Sequence, residues 1–216
     1  MKMLRHLWTS TALACTAALV AAPVDASVTI NNTRVVYPLG EREVTVQLNN
    51  DSRKPSLVQV WLDDGNPDAK PGEAKAPFVV TPPIFRMSPQ KSQTLRVIYT
   101  GDPLPTDRES VFWLNVLDIP PKPGGESANA NVLQLAFRTR IKLFVRPARL
   151  EGSAEEAPGK LQWKLIDADD GRGKALKVTN PTPFHVSFSE LAVERGEHVF
   201  RNEAGGMVGP QGSTVF

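Results

Sequence analysis

The sequence predicts an all-β protein made of two β-sandwiches in series. Three observations carry this. Apolar and polar residues alternate at a period of two along most of the chain, the mark of strands with one buried face. The alternating runs are separated by clusters of Asn, Asp, Gly and Pro, and 19 prolines with 15 glycines suit many strands joined by many turns. No stretch sustains apolar residues at helical spacing. Short strands at even spacing over about 100 residues indicate a sandwich.

Residues 1–26 stand apart from the rest. Lys2 and Arg5 give a positive start, Leu7 to Ala22 carries no charge, and Val24-Asp25-Ala26 offers small residues for cleavage. This reads as a secretory signal cut after Ala26. Its apolar run is shorter than the roughly 20 residues a spanning helix needs. Cys15, the single cysteine, lies inside it. The mature chain is therefore expected to stand in an oxidising compartment without disulfides.

The strands follow in order. Val44, Val46 and Leu48 alternate with Thr45 and Gln47, then Leu57 to Leu62, Thr94 to Tyr99, Val111 to Leu117 and Val132 to Val145. Turn signals separate them at Asn49–Ser52, Asp63–Pro67, Gly101–Pro103 and Pro120–Gly125. The alternation breaks from Arg146 to Glu151 and resumes at Leu161–Ile166, Ala175–Val178 and His185–Val193. A boundary there gives a first domain at 27–147 and a second at 148–216. The second, at about 70 residues, is short for a complete sandwich of roughly 100.

Residues 133–145 are the most informative stretch. The odd positions read Leu133, Leu135, Phe137, Thr139, Ile141, Leu143, Val145, and the even ones are mainly polar and basic. Thirteen residues at about 3.4 Å each would make a strand of roughly 44 Å, against an ordinary length of about 5–6 residues. Two readings stand. The strand bends between sheets and both its ends are core, or Leu133, Leu135 and Phe137 project beyond their own core as an apolar edge that invites another chain.

Composition excludes several classes. A net charge of +2, with 22% charged and 41% hydrophobic residues, implies no strongly basic surface for nucleic acid, though it allows local basic spots. His185 and His198 have no metal-ligand spacing and read as ordinary strand or loop residues. Asp167–Gly171 resembles a calcium loop only in outline, since the glycine comes one place early and Val178 stands where a glutamate is needed. There is no nucleophile elbow and no phosphate-binding loop. No catalytic residue, metal or cofactor is expected.

Eight motifs carry a family resemblance: Thr33–Pro38 (TRVVYP), Asn49–Asp64 (NNDSRKPSLVQVWLDD), Thr81–Arg86 (TPPIFR), Arg108–Asn115 (RESVFWLN), Asp118–Pro121 (DIPP), Ile141–Pro147 (IKLFVRP), Val178–Phe184 (VTNPTPF) and Gly206–Pro210 (GMVGP). In order and spacing, over essentially all of residues 27–216, they resemble the periplasmic pilus-assembly chaperones of the chaperone–usher pathway, the PapD-like family. The resemblance implies two immunoglobulin-like β-sandwich domains in a boomerang arrangement. It implies a periplasmic protein that binds, folds and caps pilus (pilin) subunits by donating a β-strand into their open groove, then delivers them to an outer-membrane usher. It makes Leu133, Leu135 and Phe137 the donor residues, each able to contribute about 1.5–3 kcal/mol before association costs. It makes Arg34 and Lys142 the anchor for the subunit's C-terminal carboxylate, and Glu109 with Arg146 the ion pair between domains.

The family's third, acidic partner in that pair has no match in this sequence. The chain stops at Ser213–Phe216 where the family continues, so the second domain is expected to be truncated at its C-terminal end. Residues 120–130 resemble the short-loop branch that serves rod-like pili. Free protein is expected to self-associate through the donor strand. The alternative function is a secreted structural or adhesive sandwich. A pilin would need its own donor extension, for which Ser27–Asn32 is too short, and commonly a disulfide. A carbohydrate module would need an aromatic platform, whereas aromatics are 7% and Trp61 and Trp113 lie inside strand patterns.

Overall fold

The computed structural model describes residues 28–122, 133–168, 171 and 173–216. The expected signal segment with Cys15, most of the 120–130 stretch, and Asp169 and Asp170 of the calcium-like run lie outside the described residues.

Among the described residues the first sandwich has nine strands: β1 (Val28–Ile30), β2 (Arg34–Pro38), β3 (Val44–Asn50), β4 (Ser56–Asp63), β5 (Phe78–Thr81), β6 (Ile84–Met87), β7 (Ser92–Tyr99), β8 (Ser110–Ile119) and β9 (Phe137–Arg146). They form a four-stranded sheet in the order β1-β3-β7-β5 and a five-stranded sheet in the order β2-β9-β8-β4-β6. All pairs are antiparallel except β2 with β9. The alternation dictates the core. Val46 and Leu48, Leu95 and Val97, Val58 and Val60, Leu114 and Val116, and Leu143 and Val145 all turn inward and are buried together. Tyr37 fills one end of this core. Its hydroxyl donates to the Glu41 carbonyl at 3.0 Å and accepts from the Tyr99 amide at 3.2 Å.

The second sandwich has β10 (Gln162–Asp167), β11 (Lys174–Asn180), β12 (Val186–Phe188), β13 (Leu191–Arg195), β14 (His198–Asn202), β15 (Gly206–Val208) and β16 (Gly212–Val215), with a 3₁₀ turn at Ala157–Lys160. One sheet runs β10-β11-β16, and β12 pairs with β15 and β13 with β14. Its core is smaller: Ala157, Val178, Phe184, Val186 and Val208. Both domains use the same turn device. Asn50 donates to the Lys54 carbonyl at 2.9 Å and accepts from the Ser52 amide. Asn180 donates to the Phe184 carbonyl at 2.7 Å and accepts from the Thr182 amide.

Two strand expectations need correction. The run expected over 133–145 enters a sheet only at Phe137, because its neighbour β8 ends at Ile119. Pro120 and Pro121 follow, and proline has no N–H to continue the ladder. Gln134 instead donates its side-chain amide to the Pro120 carbonyl at 2.8 Å. The run expected over 185–193 is two strands, β12 and β13, since the chain changes partner from β15 to β14 between them.

Candidate functional site

β9 is the spine of the site. Its C-terminal half lies under two neighbours, β8 on one edge and β2 on the other, and there Leu143 and Val145 are core. Its pairing with β2 begins only at Lys142, so Phe137–Ile141 has β8 alone beside it. On the same odd face, Leu133, Leu135 and Phe137 are 85%, 51% and 55% exposed. The alternation that builds the core thus continues past the end of the core.

Arg34 and Lys142 sit directly opposite each other in the parallel β2–β9 pair. Lys142 is half-buried, and its ammonium donates to the Ser187 hydroxyl of the second sandwich at 2.9 Å. Burial, followed by the charge of Arg34, lowers its proton affinity below that of an ordinary lysine. Neither cation has a carboxylate within ion-pair distance among the described residues. Two adjacent cations, one partly desolvated, make a place where an arriving carboxylate gains a charge-assisted contact and relieves their repulsion.

Glu109 and Arg146 meet, with Nε to Oε1 at 2.8 Å, and the guanidinium also lies 5.4 Å from the Phe184 ring centre. Glu109 is buried and reaches the second sandwich. Its Oε2 accepts from the His185 amide at 2.8 Å and lies 3.3 Å from the His185 ring nitrogen, while its own amide donates to the Pro183 carbonyl. Burial alone would raise the Glu109 carboxyl, but the hydrogen bonds from His185 and Arg146 outweigh it and hold the group below its usual range.

Sequence reasoning missed His185 and Ser187. The resemblance called for an acidic third partner to the Glu109–Arg146 pair, but the residue that joins them is His185, read beforehand as ordinary. Its ring packs against Phe144 at 5.4 Å between centres. The available signal was its place right after the Pro181–Phe184 turn.

Among the described residues no cluster of His, Cys, Asp and Glu could hold a metal ion. Nor is any helix there long and apolar enough to cross a membrane.

Comparison with known proteins adds the family. Residues 27–151 match the pili and flagellar-assembly chaperone, PapD N-terminal domain, and residues 156–216 the pili assembly chaperone PapD, C-terminal domain. The chain is 51% identical to the probable fimbrial chaperone YadV of Escherichia coli K12 over 172 residues, covering 78% of this chain and 69% of that protein. A crystal structure of the YadV chaperone superposes with a TM-score of 0.73 at 40% identity, covering 88% of this chain and 84% of the other. The Salmonella enterica SafB chaperone, solved in complex with the SafA pilin, matches with a TM-score of 0.69 at 30% identity, covering 90% of this chain and 85% of the other. Two sandwiches, an unfinished apolar edge and both domain matches lead to one conclusion: the chain belongs to the PapD-like family of pilus-assembly chaperones, whose members are periplasmic and not enzymes.

Proposed function

We propose that this chain works in the periplasm, lending residues 133–137 as a strand to an incomplete pilin and holding the pilin's C-terminal carboxylate on Arg34 and Lys142. The observation that carries this is the exposed Leu133, Leu135 and Phe137 in line with the core face of β9. A strand supplied from outside gives main-chain bonds along an edge and pockets for alternate side chains. The carboxylate anchor then fixes the register, since a slip of two residues would pull the pilin's end off both cations.

In this reading residues 1–26 are a removed signal. Residues 27–147 form the lending domain and 148–216 the second domain, and Glu109, Arg146 and His185 orient one against the other. The partners are pilins and an outer-membrane usher, with no nucleic acid and no cofactor. Free chaperone shields its donor segment by self-association. That SafB was solved with a pilin supports the partner class.

The test is co-expression with candidate pilins and pull-down from the periplasm. Wild-type protein should retain a pilin, and Lys142→Ala should lose it while remaining folded. Equal recovery with both would refute the anchor. No pilin with either would refute the partner class.

A further inference from the structure

Leu133, Leu135 and Phe137 have no core beneath them, yet the start of β9 that carries them is held on its other face by a closed network. Arg140 donates to the Asp63 carboxylate from Nε at 3.1 Å and from Nη2 at 2.5 Å, with its guanidinium 4.7 Å from the Trp113 ring centre. Arg138 donates to the Asn115 side-chain oxygen from Nε at 2.9 Å and to the Pro67 carbonyl, and lies 4.8 Å from the Trp61 ring centre. Asn115 closes the network, donating to Asp63 at 2.7 Å. Asp63 also accepts from the Gly65 amide at 2.8 Å, and both Asp63 and Asn115 are fully buried.

Each arginine leans one row along the sheet. Arg140 lies opposite Asn115 but reaches Asp63, whereas Arg138 lies opposite Leu117 but reaches Asn115. The two anchors therefore sit on β4 and β8, and a slip of β9 by two residues would put one arginine on the other's anchor and leave the second anchor without its arginine. A buried ion pair adds little net stability over apolar residues of the same size. What it supplies is direction, through a planar fork that accepts one geometry. That geometry is imposed on the stretch where β9 has one strand neighbour instead of two.

We propose that Arg138 and Arg140, seated on Asp63, Asn115, Trp61 and Trp113, are positioning residues for pilin capture. They hold Phe137–Ile141, the base from which the lent segment runs, extended before a partner arrives. The proposal rests on the donor-strand reading above. A strand ordered in advance loses less conformational freedom on binding than one that must be ordered by its partner.

The test compares wild-type protein with Arg138→Met/Arg140→Met, in which an unbranched apolar side chain still covers each tryptophan, and with Arg138→Lys/Arg140→Lys. Hydrogen exchange is followed in each free protein. Capture is followed as the rate at which each binds a urea-unfolded pilin encoded near this chain, diluted into it. In the Met variant the amides of Phe137–Ile141 should exchange about tenfold faster while Leu143–Val145 keep their protection. Capture should slow by about tenfold. The Lys variant, with charge but no fork, should fall between. Unchanged exchange at 137–141, a uniform rise over all of β9, or faster exchange with unchanged capture would each overturn the proposal. If wild-type protein captures no pilin, the donor-strand reading fails and positioning for capture falls with it. Exchange in the free protein still shows in that case whether the arginines order the strand end.

Discussion

The two halves of the run 133–145 carry the same odd-face pattern and meet opposite fates. Ile141, Leu143 and Val145 stand on the odd face and lie on the core, whereas Leu133, Leu135 and Phe137 continue that face in the same phase and lie in solvent. Nothing on that face of the sequence distinguishes them. Their neighbours do: among the described residues β2 and β8 flank Lys142–Val145, β8 alone flanks Phe137–Ile141, and no strand pairs with 133–136. Periodicity reports which face is apolar, but the surrounding strands decide whether the fold uses that face or leaves it for a partner.

The largest effect should come from one substitution made in each half. Leu143→Ala removes a fully buried side chain and should destabilise the protein by about 2–5 kcal/mol. Leu135→Ala removes a half-exposed one and should change stability by less than about 0.5 kcal/mol. Denaturant unfolding of both variants measures the difference. Equal losses would mean that the 133–137 end is core after all.

Capture should reverse that ranking. Lys142→Ala, and likewise Arg34→Ala, should weaken pilin binding by about 2–5 kcal/mol, the range for leaving a buried charge without its partner. The fold should survive, because neither cation holds an ion pair inside the chain among the described residues. Binding assays with unfolding controls decide this, and normal affinity in both variants would remove the anchor. Next comes Leu135→Glu, which places a charge where an apolar groove would receive leucine and should cost about 2–3 kcal/mol of affinity. Unchanged affinity there would mean that another segment is lent.

Much of the fold was legible from sequence and some was not, for physical reasons. Strands of seven or more residues, such as β3, β4, β7 and β8, show several periods of alternation and can be read directly. β1, β5 and β6, at three or four residues, are too short to show a period and were not foreseen. The site divides in the same way. The apolar face of β9 is visible in the sequence, but its two readings were separated only by the family resemblance. The contacts of Glu109 with His185 and of Arg140 with Asp63 span 76 and 77 residues. Such pairs leave no local pattern, so in the sequence His185 reads as an ordinary residue and the arginine network has no signature.

The even face of β9 gives the smallest effect and sharpens the comparison from the other side. Each end of the strand is held there by a buried carboxylate: Asp63 on Arg140 in the lending half and Glu109 on Arg146 at the core end. In both, burial works to raise the carboxyl and hydrogen bonds outweigh it, so the folded value lies below the unfolded one. Such a group binds its proton more weakly when folded. Its contribution to stability is therefore complete above the ordinary carboxylate range and is lost as pH falls through the lowered value. Wild-type protein should lose denaturant resistance below about pH 5. Glu109→Gln should be less stable at pH 7 and lose less on acidification, because the titrating group is gone. Asp63→Asn should do the same, with added exchange confined to Phe137–Ile141. Unfolding curves at several pH values test this, and a Glu109→Gln protein as steeply acid-sensitive as wild type would show that His185 and Arg146 do not hold that carboxyl low.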